Sequence, residues 1–119
     1  GADVVYDPVG GDYSEAALRA TNWEGRFLVV GFAAGPIPKI PLNLALLKGC
    51  QIVGVFWGAF TGRAPERHQD NLRELMSWFK AGKLKPHVSR TYKLEETAQA
   101  LKDMAARKVK GKIVIVPSR

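Results

Sequence analysis

Five short stretches of apolar and β-branched residues are separated along the chain by glycine, proline and polar residues, a pattern that predicts β-strands. The predicted strands cover residues 2–6, 26–30, 50–57, 87–94 and 112–116. The second of them is apolar at every position after its arginine, which is typical of a parallel strand covered on both faces. The fourth mixes polar and apolar residues.

Segments with the helical spacing of apolar residues lie between these strands. They predict helices over residues 13–23, 65–81 and 95–108, with a short helical turn over residues 44–48. Pro65 suits the first turn of its helix, and Gly82 suits the end. The order of elements predicts an α/β fold in which helical crossovers connect a parallel sheet.

The first helix carries signals for both of its ends. Asp12 stands three residues before Glu15, the spacing of a capping box, so we expect the helix to begin there. Gly25 is the residue type that a left-handed helix terminus prefers, so we expect the helix to end just before it.

The two longer amphipathic helices each present one apolar stripe, which we expect to face the core. In the helix over residues 65–81 the stripe is Leu72, Leu75, Met76 and Phe79, and in the last helix it is Ala98, Leu101, Met104 and Ala105.

The composition places the chain among folded intracellular proteins. Its 119 residues, 46% apolar and 24% charged, are enough for one domain with a core and exclude wholesale disorder. Its apolar runs are too short to cross a bilayer.

One cysteine, Cys50, can form no internal disulfide, and with only His68 and His87 it makes no convincing zinc site. We therefore expect a reducing, cytoplasmic setting. The chain starts without Met or a charged leader, so we expect a piece of a longer protein.

The formal net charge of +7 is concentrated in the second half of the chain. Residues 61–119 contain fourteen basic and six acidic residues, which admits a nucleic-acid-binding hypothesis. The basic residues are spread through helices and strand ends, and aromatic residues are scarce among them. A solvated basic surface is therefore the preferred interpretation, and a nucleic-acid partner is not expected.

Two glycine-containing corners follow successive predicted strands, at residues 7–11 and 31–35. Ligands of open α/β sheets bind at the carboxyl ends of parallel strands, and glycine lets a ligand approach the backbone. Neither corner has the G-x-G-x-x-G spacing of a pyrophosphate loop, and either one alone is more simply an ordinary turn.

Side chains suited to acid–base or nucleophilic chemistry are scarce. We interpret His68 as a surface residue, His87 as a packing or surface residue, and Cys50 as a small residue buried at the head of a strand. Asp7 has two interpretations, as a ligand for a hydroxyl or as a carboxylate that stabilises its own turn. Glycine-rich strand ends without a catalytic side chain indicate that a cofactor supplies the chemistry.

Taken together, four segments resemble the medium-chain dehydrogenase/reductases. Within that superfamily they most closely resemble the branch of NADPH:quinone oxidoreductase-like proteins, which is of the zinc-binding-dehydrogenase type. The segments are GADVVYDPVGG, GRFLVVGFAAG, IPKIPLNLALLKGCQIVGVFWG and GKLKPHVSRTYKLEETAQALKDMAARKVKGKIVIVP. The resemblance covers essentially the whole chain. It implies that residues 1–82 are the C-terminal half of a Rossmann-like domain and that residues 83–119 return to a GroES-like catalytic domain.

The resemblance implies a function for the whole enzyme, which is hydride transfer from NADPH, or from NADH, to a quinone or an α,β-unsaturated carbonyl. It implies no metal within this chain and no activity for the chain alone. Residues implied to contact the cofactor are Val9, Gly10, Gly11, Gly31, Phe32, Ala33, Val55, Phe56, Trp57 and, near the pyrophosphate, Lys112.

The resemblance also implies a homodimer in which the strand over residues 50–57 pairs with its counterpart in a second subunit, because an apolar edge strand is otherwise prone to aggregation. Two alternatives to the oxidoreductase hypothesis stay open at this point. One is a basic RNA-binding module, and the other is a folded, dimerising fragment without a ligand.

Overall fold

The computed structural model describes residues 1–117 of the chain. These residues form two compact units, the first covering residues 1–68 and the second running from residue 69 onward. The sequence-based domain boundary at residue 82 stays a prediction. No helix among the described residues is both long enough and apolar enough to cross a membrane.

The first unit contains a three-stranded sheet in the order β1-β2-β3, in which both neighbouring pairs are parallel. Its elements in chain order are β1 (Ala2–Asp7), α1 (Tyr13–Arg19), β2 (Thr21–Val29), α2 (Asn43–Lys48), β3 (Gln51–Gly54) and α3 (Trp57–Arg63). Helical connections between the strands are what parallel pairing requires. The structure confirms the predicted α/β fold with a parallel sheet and flanking helices.

Three buried apolar side chains form the core of the first unit: Leu18 from α1, Phe27 from β2 and Leu44 from α2. Cys50, predicted to be a buried small residue, is half-buried against this core. Full burial of such an apolar side chain contributes about 1.5–3 kcal/mol relative to exposure. The core therefore holds α1 and α2 against β2 and thereby fixes the loops that leave the sheet.

The first helix is shorter than the predicted span of residues 13–23. α1 ends at Arg19, and Trp23 lies in β2. Thr21 accounts for the difference, because this fully buried residue pairs with Ala2 across the sheet. A β-branched side chain also favours the extended backbone over the helix.

The predicted start of α1 is confirmed, because Asp12 is its N-cap residue and Tyr13 its first residue, whereas the predicted capping box and the predicted end were wrong. The side chain of Asp12 makes no capping hydrogen bond, and Glu15 instead pairs with Arg19 at 2.7 Å. Glu24, rather than Gly25, adopts the left-handed conformation, with φ of +58°. Gly25 lies inside β2 beside an irregularity in the β1–β2 register, where a β-carbon would be 3.0 Å from a main-chain oxygen of β1. This glycine therefore allows a close backbone approach.

The strand predicted over residues 50–57 was too long, since β3 covers only Gln51–Gly54. Val55 still donates its N–H to a carbonyl of β2 at 2.9 Å, so pairing continues for one residue beyond the strand. The Phe56 carbonyl then accepts the N–H of Phe60 at 3.0 Å, which begins α3. Helical hydrogen bonding thus replaces sheet pairing at this point.

The second unit contains a parallel two-stranded sheet. Its elements are β4 (Val88–Lys93), a 3-10 turn (Leu94–Glu96), α5 (Thr97–Ala105) and β5 (Lys112–Val116), while α4 (Pro65–Lys80) contains the division between the units. Both strands lie where the sequence predicts them, and α5 forms the crossover between them.

The predicted inward face of α5 was wrong. Ala100 and Asp103 are the buried residues of this helix, whereas Leu101 and Met104 are more than half exposed. The buried carboxylate of Asp103 accepts a hydrogen bond from the Tyr92 hydroxyl at 2.7 Å. A polar contact of this kind, which apolar periodicity does not register, sets the orientation of the helix.

The prediction that the α4 stripe lies in the core was also wrong. Its members, Leu72, Leu75, Met76 and Phe79, are between 39% and 51% exposed, and α4 has no buried residue. Apolar periodicity shows that a helix has an apolar face, but burial also requires a second surface against that face.

Candidate functional site

Asp7 ends β1 and organises the corner that follows it. Its Oδ1 accepts the N–H groups of Val9 and Gly10, each at 2.9 Å, and its Oδ2 accepts the Ser14 hydroxyl at 2.7 Å. Burial acts to raise the pKa of this carboxyl, but the bonds from Gly10, Ser14 and Val9 outweigh it and hold the pKa below the ordinary 3.8. These contacts agree with the turn-stabilising interpretation of Asp7.

The corner after β1 is hydrogen-bonded to the corner after β2. Main-chain N–H groups of the second corner donate to carbonyls of the first, from Gly31 to Asp7 (3.3 Å), Ala33 to Pro8 (3.1 Å) and Ala34 to Val9 (2.9 Å). The parallel register therefore continues past the ends of both strands and brings the two predicted corners side by side.

Two glycines let these corners approach each other. Gly10 and Gly11 have φ of +69° and +62°, in the left-handed region. A β-carbon at Gly10 would lie 2.8 Å from Cδ1 of Phe32, and one at Gly11 would lie 3.0 Å from Cβ of Ala34. A side chain at either position would therefore displace the second corner.

An apolar groove of about 390 Å³ opens at the carboxyl ends of β2 and β3. Its lining residues are Val29, Val30, Gly31, Phe32, Gly54, Val55 and Phe56. Val29 and Gly54, which both line the groove, pair across the two strands. Three valines and two phenylalanines are among the lining residues, and an apolar lining suits a flat uncharged ring.

The structure brings most of the predicted cofactor-contacting residues to this edge of the sheet. Four of them line the groove: Gly31, Phe32, Val55 and Phe56. The others of the first unit lie in the two corners or start α3: Val9, Gly10, Gly11, Ala33 and Trp57. Lys112 belongs to the second unit, where it starts β5 and donates its N–H to the His87 carbonyl at 2.9 Å. Its role near a pyrophosphate stays a prediction.

Sequence reasoning missed four residues of this region. Val29, Val30 and Gly54 line the groove, and Ser14 hydrogen-bonds the corner carboxylate. A usable signal exists for Val29 and Val30, because they close the predicted strand over residues 26–30 and ligands bind at that edge of a parallel sheet. Gly54 lies inside the strand predicted over residues 50–57 and gave no such signal. Ser14 has a weaker signal, its place at the start of a helix that follows a glycine corner.

α3 begins beside the groove and is tied to the first turn of α4 by two ring contacts. Trp57, the first residue of α3, meets the ring of His68 edge to face, with centroids 5.6 Å apart and planes at 75°. The guanidinium of Arg67 lies 5.3 Å from the centroid of Phe60. The interpretation of His68 as a plain surface residue is therefore incomplete.

The second unit holds a separate polar cluster around Asp103. Its carboxylate accepts the Tyr92 hydroxyl at 2.7 Å and the Gln99 amide at 2.9 Å, and Arg90 lies 3.6 Å away. The Tyr92 bond, and then the Gln99 bond, hold the pKa of Asp103 below 3.8. The same bond from Tyr92 raises the pKa of that hydroxyl above 10.0. This cluster connects α5 to β4.

The residues described by the structure do not fit a zinc centre. Among residues 1–117, no three His, Cys, Asp or Glu side chains gather where they could hold a metal ion. Cys50 packs against the apolar core, and His68 contacts Trp57. Zinc normally requires three or four such donors in tetrahedral geometry.

Comparison with known proteins finds a matching protein family and similar proteins. Residues 1–115 match the family described as zinc-binding dehydrogenase. The chain is 39% identical over 116 residues to the quinone oxidoreductase-like protein 2 homolog of Nematostella vectensis, covering 97% of this chain and 32% of that protein. It is 36% identical over 115 residues to quinone oxidoreductase-like protein 2 of Bos taurus, covering 97% and 33%.

The fold agrees with these relatives. A solved structure of a mycobacterial protein complexed with NADPH matches with a TM-score of 0.80 and 27% identity, covering 98% of this chain and 36% of that one. The chain thus spans about a third of the length of the relatives it matches. These findings confirm the resemblance to the medium-chain dehydrogenase/reductases of the quinone oxidoreductase-like branch. The chain belongs to the zinc-binding dehydrogenase family.

Proposed function

We propose that this chain supplies one wall of the nicotinamide site in an oxidoreductase that transfers hydride from NADPH to a quinone or an α,β-unsaturated carbonyl. The observation that carries the proposal is the apolar groove at the carboxyl ends of β2 and β3. The NADPH complex of the mycobacterial protein and the quinone oxidoreductase-like relatives support the choice of cofactor and acceptor. NADH is the alternative cofactor.

The hydrogen bonding around the groove favours the nicotinamide over a phosphate group. The N–H groups of Val9 and Gly10 bind the Asp7 carboxylate, and those of Gly31 and Val55 bind carbonyls of neighbouring strands. Phosphate recognition depends on free N–H donors or basic side chains. Since these four donors are already engaged, the groove offers apolar contact, which an uncharged reduced nicotinamide ring can use.

The chain's own residues would act by positioning and by excluding water. Reduced nicotinamide supplies a hydride when NADPH is bound. Val55 and Phe56 would contact the ring from the β3 side, and Gly31 and Phe32 from the β2 side. Gly10 keeps the β1 corner against Phe32, so this wall keeps its shape without a ligand. Preorganised contact of this kind lowers the entropic barrier to transfer.

We further propose that residues 1–119 alone bind the cofactor weakly and turn over no substrate. The sequence contains no G-x-G-x-x-G turn for the pyrophosphate. A cytoplasmic setting follows from the single cysteine and stays a prediction.

A homodimer through β3 is part of the proposal. β3 is the terminal strand of the described sheet, and Ile52 within it is 42% exposed. An unpaired strand edge of this kind can pair with the same strand of a second copy about a two-fold axis. The pairing segment would be Gln51–Gly54 rather than the whole of residues 50–57.

The proposal is tested by titrating the 15N-labelled chain with reduced nicotinamide mononucleotide, which carries the ring without the adenosine half. We expect saturable shift changes at the amides of Gly10, Gly31 and Phe56. Adenosine monophosphate is the matched control and should leave these amides unchanged. No response to the reduced nicotinamide, or an equal response to both nucleotides, would contradict the proposal.

A further inference from the structure

Two aromatic residues stand exposed where the chain leaves β3. Phe56 lines the groove and is 81% exposed, and Trp57, which follows it directly and starts α3, is 62% exposed. An exposed aromatic side chain beside an apolar groove can stack against a planar molecule.

The Trp57 indole is held by one ring contact. His68 meets it at a centroid distance of 5.6 Å and an interplanar angle of 75°, which is the edge-to-face arrangement that aromatic rings prefer. An edge-to-face contact restricts rotation of the indole while most of its surface stays accessible.

Main-chain hydrogen bonds connect α3 to His68 through the corner between α3 and α4. The N–H of His68 donates to the Ala64 carbonyl at 3.0 Å, and Ala64 in turn donates to the Phe60 carbonyl at 2.9 Å. Arg67 places its guanidinium over Phe60 at 5.3 Å. His68 therefore reaches Trp57 from a backbone that is already hydrogen-bonded.

We propose that His68 is a positioning residue, which holds the Trp57 indole at the mouth of the groove as a stacking surface for a planar, uncharged electron acceptor of the quinone class. The inference rests on the proposed function, since it places the acceptor beside the nicotinamide ring. Phe56, which lines the groove, precedes Trp57 directly, so the two proposed ring sites adjoin. Arg67 takes no part in this role, since its guanidinium lies over Phe60.

The experiment observes Trp57 as the only tryptophan, in a Trp23→Phe, Trp78→Phe background, since the chain has three tryptophans. The probe is 2,3-dimethyl-1,4-naphthoquinone, whose substituted ring does not add to the thiol of Cys50. Quenching of Trp57 emission gives the affinity for the quinone, and time-resolved anisotropy gives the mobility of the indole. Both are measured in the background chain and with His68→Ala, His68→Phe and Arg67→Ala added.

We expect saturable quenching in the background chain. His68→Ala should weaken quinone binding about 2- to 10-fold, the loss expected for one aromatic pair, and should speed the local depolarisation of Trp57. His68→Phe should restore both values, because a phenyl ring can make the same edge contact. Arg67→Ala should resemble the background chain, since it removes the neighbouring contact and leaves Trp57 and His68 in place.

If His68→Ala leaves the quinone affinity or the anisotropy decay of Trp57 unchanged, the proposed role of His68 is overturned. Quenching of Trp57 that does not saturate in the background chain would overturn it as well. An equal loss in Arg67→Ala would also overturn it, because the effect would then belong to the whole corner. The proposed function is tested separately by the reduced nicotinamide titration. If the unaltered chain does not bind reduced nicotinamide mononucleotide, the proposed function is overturned. If it binds this nucleotide but its quinone affinity is the same with and without His68, only this inference is overturned.

Discussion

Gly10 and Phe32 approach each other so closely that a β-carbon at position 10 would lie 2.8 Å from Cδ1 of the phenylalanine. The two residues belong to different corners, one after β1 and the other after β2. Gly10 also has φ of +69°, a conformation that costs any other residue strain. Position 10 is therefore constrained both in side-chain volume and in backbone conformation.

Gly10→Ala is expected to lower the free energy of unfolding by about 1–2 kcal/mol and to weaken binding of reduced nicotinamide mononucleotide. Urea unfolding and NMR titration measure the two effects. Gly62→Ala is the matched control, because a β-carbon there meets nothing within 4 Å and alanine favours the helix α3. Equal behaviour of the two variants would contradict the constraint at position 10.

The three hydrogen bonds to Asp7 make the stability of the first corner depend on pH. Because its folded pKa lies below 3.8, the carboxylate stabilises the fold above that pH, and the contribution is lost as the pH falls through the folded pKa. Asp7→Asn should lower the free energy of unfolding by about 1.5–3 kcal/mol at pH 7, the range for hydrogen bonds to a charged group.

Urea unfolding of the wild-type chain and of Asp7→Asn at neutral pH and well below pH 3.8 checks this prediction. The difference between the two should shrink in acid. Asp12→Asn serves as the control, because the Asp12 side chain makes no capping bond. A constant difference at all pH values would show that the carboxylate charge has no part in holding the corner.

Tyr92 is expected to control the ionisation of Asp103. Removing the hydroxyl with Tyr92→Phe takes away the largest influence that lowers this pKa, so the Asp103 pKa should rise toward 3.8. Carbon-13 NMR titration of the side-chain carboxyl of Asp103 measures the change. Gln99→Ala should produce a smaller rise in the same direction, and no rise in Tyr92→Phe would disprove the ranking of the two bonds.

The β3 edge is expected to mediate self-association. Ile52→Lys places a charge in that edge and should raise the dimer dissociation constant at least about tenfold. Ile37→Lys is a matched substitution at a 64% exposed loop position and should leave association unchanged. Sedimentation equilibrium distinguishes these outcomes, and a clean wild-type monomer at high concentration would count against the dimer.

The strand core of the fold could be predicted from the sequence because each strand carries a local signal. Val4 and Val5 lie in a β-branched run that stops at a proline and two glycines, and the structure places β1 there. Phe27 lies in a continuous apolar run, and the structure buries it between α1 and α2. Local composition therefore locates these strand segments.

The errors arose where distant contacts outweigh local propensity. Thr21 reads as part of a helix until its pairing with Ala2 is known, and Gly25 reads as a helix end until the close approach of β1 is known. Asp103 lies outside the apolar stripe predicted for the last helix, and its burial depends on its bond to Tyr92. Each depends on a residue at least 11 positions away along the chain. Single-sequence patterns do not contain that information.

For the candidate site, the sequence predicted the glycine corners, and the family resemblance predicted the residues around the groove. Neither source predicted the contact between Trp57 and His68, because edge-to-face packing depends on the angle between α3 and α4. Val29 and Gly54 likewise come together in the groove through strand register, which single-sequence patterns do not specify.

The most direct test of the central claim is a measurement of intermolecular nuclear Overhauser effects between reduced nicotinamide mononucleotide and the isotope-labelled chain. The account predicts contacts from the ring protons of the nicotinamide to the Val55 methyl groups and to the rings of Phe32 and Phe56, which line the groove. Contacts confined to residues outside the groove, or none from the nicotinamide ring, would contradict the account.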